Sequence, residues 1–420
     1  MTAEKYGVYR TKNAFSTFLL CWVAYFSTYV CRLNYSAVMP ELRAGAVFPE
    51  SRIAAVSSVF FICYGLGQFV NGLLGERLDT RKMIFCGLFS SSFCNLGIFL
   101  FHQYPALLLL WGINGLAQSM VWTPVLKIGS LNFDGPAREK FGVDLATTVP
   151  MGTLCSYLIS LVTLLFLPWH WAFLTCGLFE LGITLLWLHG TKGLFRTKAP
   201  VSVSTMPEAA APALSVREIW KLTVKSGVLL LLIPIVIQGT LKDSVTQWVP
   251  SFFAEAFGSG TSFSLLLTML LPVVNVTGAF LAKTLNRRLK NEIATSLVFF
   301  GVSLGFLLLL RLSGSKSMLL SLLAMAGVTN CMFAVNVMLI TLVPLRFAKT
   351  GRVSTIGGLL NAVAYIGCGG LNLLAGKLLE KNSGWDALFL LWMLLALAAI
   401  GVSLLCIPLW RRFCRSQEEA

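Results

Sequence analysis

The sequence predicts an all-α polytopic membrane protein of twelve transmembrane helices, arranged as two pseudo-symmetric six-helix halves. Three observations predict it. The 420 residues are 56% hydrophobic and only 12% charged, with a mean hydropathy of +0.77, where soluble domains carry roughly a quarter charged residues. Twelve apolar runs approach the ~20 residues that cross a hydrocarbon core. A polar, basic stretch then divides those runs into two blocks of six.

Span 1 is placed near 14–39: it follows a short charged leader and runs through "FLLCWVAYF" to Phe26. It is too long for the apolar region of a cleavable signal, so none is expected. Spans 2 (53–75) and 3 (83–101) flank the charged turn "GERLDTRK". Span 4 (105–131) leads to span 5 (142–168), and "LPWH" separates span 5 from span 6 (171–190). The stretch "TKGLFRTKAPVSVSTMPEAAAPALSVREIWKL" follows, and its "SVRE" at Ser215 to Glu218 has the capping-box form of a helix start. Span 7 (226–254) and span 8 (262–284) open the second block, and spans 9 (293–312), 10 (317–345), 11 (353–378) and 12 (387–409) complete it. The expected organisation is an N-terminal half over 1–190, a linker over 191–225 and a C-terminal half over 226–420.

A formal net charge of +15 raises the question of nucleic acid, and its distribution answers it. Of the 33 Lys and Arg, 24 fall on the N-terminus, the loops after even-numbered spans and the C-terminus. Six fall on the loops after odd-numbered spans, and Arg32, Lys127 and Lys242 remain inside spans. That is the positive-inside bias, with the lipid bilayer as partner, no nucleic acid, and both termini on the cytoplasmic side of the cell membrane. The eleven cysteines lie almost all within spans without a CxxC pair, and read as small apolar packing residues. No nucleotide loop, metal cluster or nucleophile-base set occurs, so neither enzymatic activity nor a cofactor or metal is expected.

The first spans of the two blocks match. Arg32 is followed eight residues later by Pro40, and Lys242 eight residues later by Pro250, an offset of half the chain. Two halves related by an axis along the membrane normal put a substrate site near the midplane between them. After span 2, "GLLGERLDTRKMIF" reads as a gating loop through Gly72, Glu76, Arg77, Arg81 and Lys82. The equivalent "GAFLAKTLNRRLKN" keeps Gly278, Arg287 and Arg288 without the acid, so the gate is expected to be asymmetric.

A cation inside a span costs at least about 2.5 kcal/mol and faces a cavity or a partner. Arg32 and Lys242 lie roughly 25 Å along their helices, too deep to snorkel. Asp243 adjoins Lys242, but successive helical residues point about 100° apart and are not expected to face one another. Tyr25 and Tyr29 precede Arg32 by seven and three residues, on one helical face, so two hydroxyls and a guanidinium form a ladder for an anion; an aromatic stripe packed in the bundle is the alternative. The planar fork of arginine suits bidentate phosphate contact, and lysine adds a compact charge from the other half.

These stretches resemble the organophosphate:phosphate antiporters of the major facilitator superfamily, which include glycerol-3-phosphate, hexose-phosphate and animal glucose-6-phosphate transporters. The resemblance covers nearly the whole chain. It rests on "YFSTYVCRLNYSAVMPEL", "YGLGQFVNGLLGERLDTRK", "NGLAQSMVWTPVLK", "LKDSVTQWVPSFF" and "GWDALFLLWML". It implies that Arg32 and Lys242 bind a phosphoryl group and that Tyr25 and Tyr29 line the same site. Where bacterial members carry a histidine in span 5, this chain has Met151, as the animal branch does. The span-4 signature W-P-P-C-G-(R/K) has become "WTPVLK", which keeps Trp122, Pro124 and Lys127.

Lys127 reads as a headgroup or loop contact and Glu180 as a neutral, hydrogen-bonded carboxyl. Gln238, Gln247, Asn330, Asn336 and Asn361 are candidate partners for substrate hydroxyls. The glycines of "STIGGLLNAVAYIGCGG" read as packing positions. The expectation is a monomeric carrier that exchanges an organic phosphate for inorganic phosphate by alternating access. The alternatives are a proton-coupled carrier of another organic anion, using Asp144, Glu180 or Asp243, and a transporter-like receptor for a phosphate ester.

Overall fold

A computed structural model describes residues 13–45, 47–74, 78–133, 147–194, 228–347, 353–380 and 384–419, together with 137, 141–142 and 144–145. Among the described residues, twelve long helices make up the fold. In the first block they are α1 (Ala14–Ala44), α2 (Glu50–Leu74), α3 (Thr80–Leu100), α4 (Tyr104–Asn132), α5 (Thr148–Leu164) and α6 (Trp171–Leu194). In the second they are α7 (Val228–Phe257), α8 (Gly260–Leu289, divided at Met269), α9 (Glu292–Ser313), α10 (Met318–Asn336), α11 (Val353–Glu380) and α12 (Gly384–Glu419). Eleven are long and apolar enough to cross a membrane, and α5 is a shorter apolar helix. The linker from 195 to 227 lies outside the described residues.

Span 5 ends earlier than its sequence suggested, at Leu164, because Pro168 disfavours helical backbone at the residue before it. Beyond Asn336, α10 continues as a widened π-turn over Val337–Leu342. Pro344 lies just past that turn; it offers no N–H and its ring crowds the carbonyl four residues back, which the wider turn accommodates.

The two blocks pack by the same pattern. In the first, α4 lies against α2 and α3, α3 against α6, and α1 against α5 and α6. Moving every label on by six reproduces the second block: α10 against α8 and α9, α9 against α12, and α7 against α11 and α12. Between the blocks, α2 packs along α11, α1 along α7, and α5 against α8.

That junction is drawn together toward one face of the bundle, where α1 and α7 end. Arg43 pairs with Glu50 at 3.1 Å and, across the junction, with Glu255. Thr261 donates to Glu41 at 2.6 Å, and Ser36 donates to the carbonyl of Gln247 at 2.9 Å. Along α2 and α11 the close approach depends on glycine: a Cβ at Gly376 would stand 2.1 Å from the Cβ of Ala54, and one at Gly369 2.8 Å from the carbonyl of Ser58. Of the span-11 glycines in the quoted stretch, Gly367 and Gly369 do pack helices, while Gly358 and Gly370 have open space around them. Past Gly65, toward the other face, Leu66 and Val70 of α2 are exposed.

Candidate anion-binding site

The site begins with a break in α1. Cys31 leaves helical geometry at φ −88° and ψ 16°. The Tyr35 N–H, which a continuous helix would direct at the Cys31 carbonyl, is instead held by Asn34 Oδ1 at 3.0 Å. The freed carbonyl accepts from Asn114 Nδ2 and Gln118 Nε2 of α4, each at 3.0 Å. Both sides of the break are thus satisfied, as buried backbone requires. Gln118 also fixes the next residue, since its Oε1 accepts from Arg32 Nε at 3.0 Å.

Arg32 is 6% exposed. Its guanidinium lies 4.3 Å from the ring centre of Tyr64, 4.7 Å from that of Tyr29 and 5.3 Å from that of Phe60. Among the described residues no carboxylate stands within ion-pairing distance of it, and its buried Nη2 has no hydrogen-bond partner. Three ring faces worth about 0.5–2 kcal/mol each and one amide replace part of the hydration of a cation. The two N–H groups of Nη2 are left over, among tyrosines.

Lys242 enters from α7. Its Nζ lies 5.9 Å from the Tyr365 ring centre and 3.5 Å from Asp243 Oδ1. The ion pair with Asp243 corrects the sequence reading, which placed the two side chains apart: the flexible four-carbon stem of lysine swings its ammonium round the helix. Tyr29 lies within electrostatic range of both Arg32 and Lys242, one cation from each half. Tyr25 and Tyr29 place their hydroxyls 3.4 Å apart, and the Tyr25 ring packs at 4.6 Å on Trp122. Tyr25 therefore serves the polar ladder and the aromatic packing at once. Tyr64 of α2 and Tyr365 of α11 meet at 4.7 Å and complete the ring of phenols.

The other candidates are placed elsewhere. Gln238 is fully buried and donates to the Met332 carbonyl at 3.3 Å, tying α7 to α10. Gln247 donates to Ser57 at 2.9 Å and to the Met39 sulfur at 3.1 Å, which puts it in the junction between the halves. Met151 is 49% exposed at the start of α5, beside Gly152, where α5 packs directly on Tyr29. Asn330 binds α8 through the Val274 carbonyl and Thr277. Of the gating loop, Glu76 and Arg77 lie outside the described residues. Gly72 closes α2 with open space around it, Arg81 pairs with Asp79 at 3.3 Å, and Lys82 is exposed. In the second half Glu292 is gripped by Arg346 at 2.6 Å and by Trp410 Nε1 at 2.9 Å, an acid placed on α9. Sequence reasoning missed Tyr64, Asn114, Gln118 and Tyr365. Their signal was present: each is a polar group deep inside an apolar run.

Comparison with known proteins gives the family. A family model described as Major Facilitator Superfamily matches residues 21–369. A probable hexose phosphate transport protein of Chlamydia trachomatis is 27% identical over 128 residues, 30% of this chain and 27% of that protein. The membrane sensor protein UhpC of Escherichia coli is 29% identical over 100 residues, 24% of this chain and 23% of its own. A glycerol-3-phosphate transporter of Bacillus subtilis is 27% identical over 114 residues, 26% and 25% of the two chains. The aligned stretches thus span about a quarter of the length of these relatives. Their names are those expected of the organophosphate:phosphate antiporter family.

Proposed function

The chain belongs to the major facilitator superfamily, and on that premise we propose that it is a secondary carrier which exchanges an organic phosphate, of the sugar phosphate or glycerol phosphate type, for inorganic phosphate. The observation that carries this reading is Arg32: a buried guanidinium with no carboxylate in ion-pairing distance among the described residues and an unpaired Nη2, near a tyrosine that also lies in electrostatic range of Lys242 from the other half. A phosphoryl group answers both features. Its oxygens accept from Nη2 and from the tyrosine hydroxyls, and its negative charge answers Arg32, with Lys242 beside Asp243 as a second cation in reach.

Exchange follows from the same charges. With no anion bound, the buried charge of Arg32 raises the energy of any state that occludes the site, while Lys242 already shares its charge with Asp243. The loaded carrier crosses more quickly. The face clasped by Arg43 and Glu255 is then the outer one, and the site alternates by rocking the two halves about it. Both termini are cytoplasmic, the membrane is the cell membrane, and the monomer is the working unit.

A purified sample screened for thermal stabilisation by phosphate, sugar phosphates, glycerol phosphates and dicarboxylates identifies the ligand class. Proteoliposomes loaded with phosphate should then take up the labelled ligand faster than empty ones. Equal rates at matched pH and potential overturn exchange. The likeness to a sensor protein favours one second reading, a receptor, which would show stabilisation by a phosphate ester without counterflow in either preparation.

A further inference from the structure

Behind Arg32 lies a polar network that anion binding by itself does not require. Gln118, whose Oε1 holds Arg32, points its Nε2 at Ser91 Oγ of α3 at 3.3 Å and at Asn114 Oδ1 at 3.2 Å. Ser91 Oγ stands 2.7 Å from Asn114 Oδ1 and 2.7 Å from Oε2 of Glu180, a fully buried acid on α6. The other oxygen of Glu180 has no hydrogen-bond partner.

Counting hydrogens in this network is decisive. Asn114 must direct its NH2 at the Cys31 carbonyl, which can only accept, so its oxygen faces Ser91. Gln118 must direct its oxygen at Arg32, which can only donate, so its NH2 faces Ser91 and Asn114. Ser91 therefore has acceptors on two sides at 2.7 Å and one hydroxyl proton to share. Were Glu180 ionised, one of those two contacts would hold no hydrogen and would set two oxygens against each other. A proton on Glu180 Oε2 completes the set: Glu180 donates to Ser91, Ser91 donates to Asn114, and Gln118 remains aimed at Arg32.

We propose that Glu180 is a proton-binding site coupled to the anion site through Ser91 and Gln118, a positioning residue whose protonated form favours anion binding at Arg32. Loss of the proton reverses the Ser91 hydroxyl toward Glu180 and strips Asn114 of a donor. It also places a negative charge within electrostatic range of Arg32, where it competes with the incoming anion. The groups around the carboxyl are few. From α1 come Arg32 and the Cys31 thiol, from α3 Cys94, and on α6 itself Cys176, toward which α5 directs Cys155. From α4 come the uncharged amides Asn114 and Gln118.

This inference rests on the reading of Arg32 as an anion site, and two measurements keep the two separable. Infrared difference spectroscopy of the full-length protein should show the C=O stretch of a protonated carboxyl at neutral pH, absent from Glu180→Gln; it needs no ligand. Calorimetric titration with inorganic phosphate across pH 6 to 9 should give equal affinities for wild type and Glu180→Gln at the acid end. The wild type should then fall behind by about tenfold at the alkaline end, within the usual range of coupling between sites. Taking the ratio of the two proteins at each pH removes the titration of phosphate itself. No carboxylic acid band, superimposable profiles, or a variant already weak at pH 6 would each overturn the proposal. If wild-type protein binds no phosphate at any pH, the anion-site reading falls, and with it the coupling.

Discussion

Replacing Arg32 with lysine keeps the charge and removes the geometry. In the native site Nε donates to Gln118 at 3.0 Å while Nη2 stays free, so one planar group is anchored and available at the same time. An ammonium has a single nitrogen and cannot stand at both points. Holding Gln118, it forfeits a hydrogen bond to a charged ligand, about 1.5–3 kcal/mol. Reaching the ligand, it leaves the buried Gln118 oxygen without its donor, at about 1–3 kcal/mol. Stacking over Tyr64 and Tyr29, at 4.3 and 4.7 Å, also weakens, by ~0.5 kcal/mol. The sum, about 1.5–3.5 kcal/mol, corresponds to roughly 10- to 400-fold in the dissociation constant. The assay is calorimetric titration of the purified variant with inorganic phosphate at neutral pH, after gel filtration has shown it monodisperse. An affinity within threefold of wild type would refute the role assigned to the guanidinium plane.

Three further outcomes are expected. Gly376→Val inserts a side chain where even a Cβ would lie 2.1 Å from Ala54, so the α2–α11 contact must part; overpacking of about 1–3 kcal/mol should lower the melting temperature by several degrees, and an unchanged melting curve would count against the close approach. Arg43→Met removes the clasp to Glu50 and Glu255; because Glu255 is 54% exposed, the pair is worth at most about 1 kcal/mol, so spin labels on the ends of α1 and α7 should report a modest widening while the fold is retained. Outside the spans, partial burial and then the neighbouring His102, stacked at 4.9 Å, hold His170 below the ordinary histidine range. The folded state therefore binds that proton less readily than the unfolded chain does, so stability is complete above the ordinary histidine value and is lost as pH falls through it toward the depressed one. His102→Gln should flatten the acid side of the profile of melting temperature against pH, and an unaltered acid side would show that the stacked pair is not its source.

The sequence by itself determined the twelve-helix architecture, because helix formation in a bilayer is a local demand: each span must satisfy its own backbone, and the apolar runs declare where. It also determined that Arg32 and Lys242 need an explanation, since the cost of a buried cation belongs to the residue and its depth. What only the tertiary structure decided is who answers those charges. Lys242 reaches Asp243 by bending its stem round the helix, which spacing alone could not foresee. Gln247 turns to Ser57 and Met39 in the junction, Gln238 to α10, and Tyr64 and Tyr365 come from helices far apart in the chain to enclose the guanidinium. The break at Cys31 carries no proline or glycine of its own; it is held by Asn34 in the next turn and by two amides of α4, more than eighty residues away. Hydrogen bonds act over about 3 Å and in fixed directions, so their partners exist only once α1, α3, α4 and α6 have packed, and so does the hydrogen count that assigns a proton to Glu180.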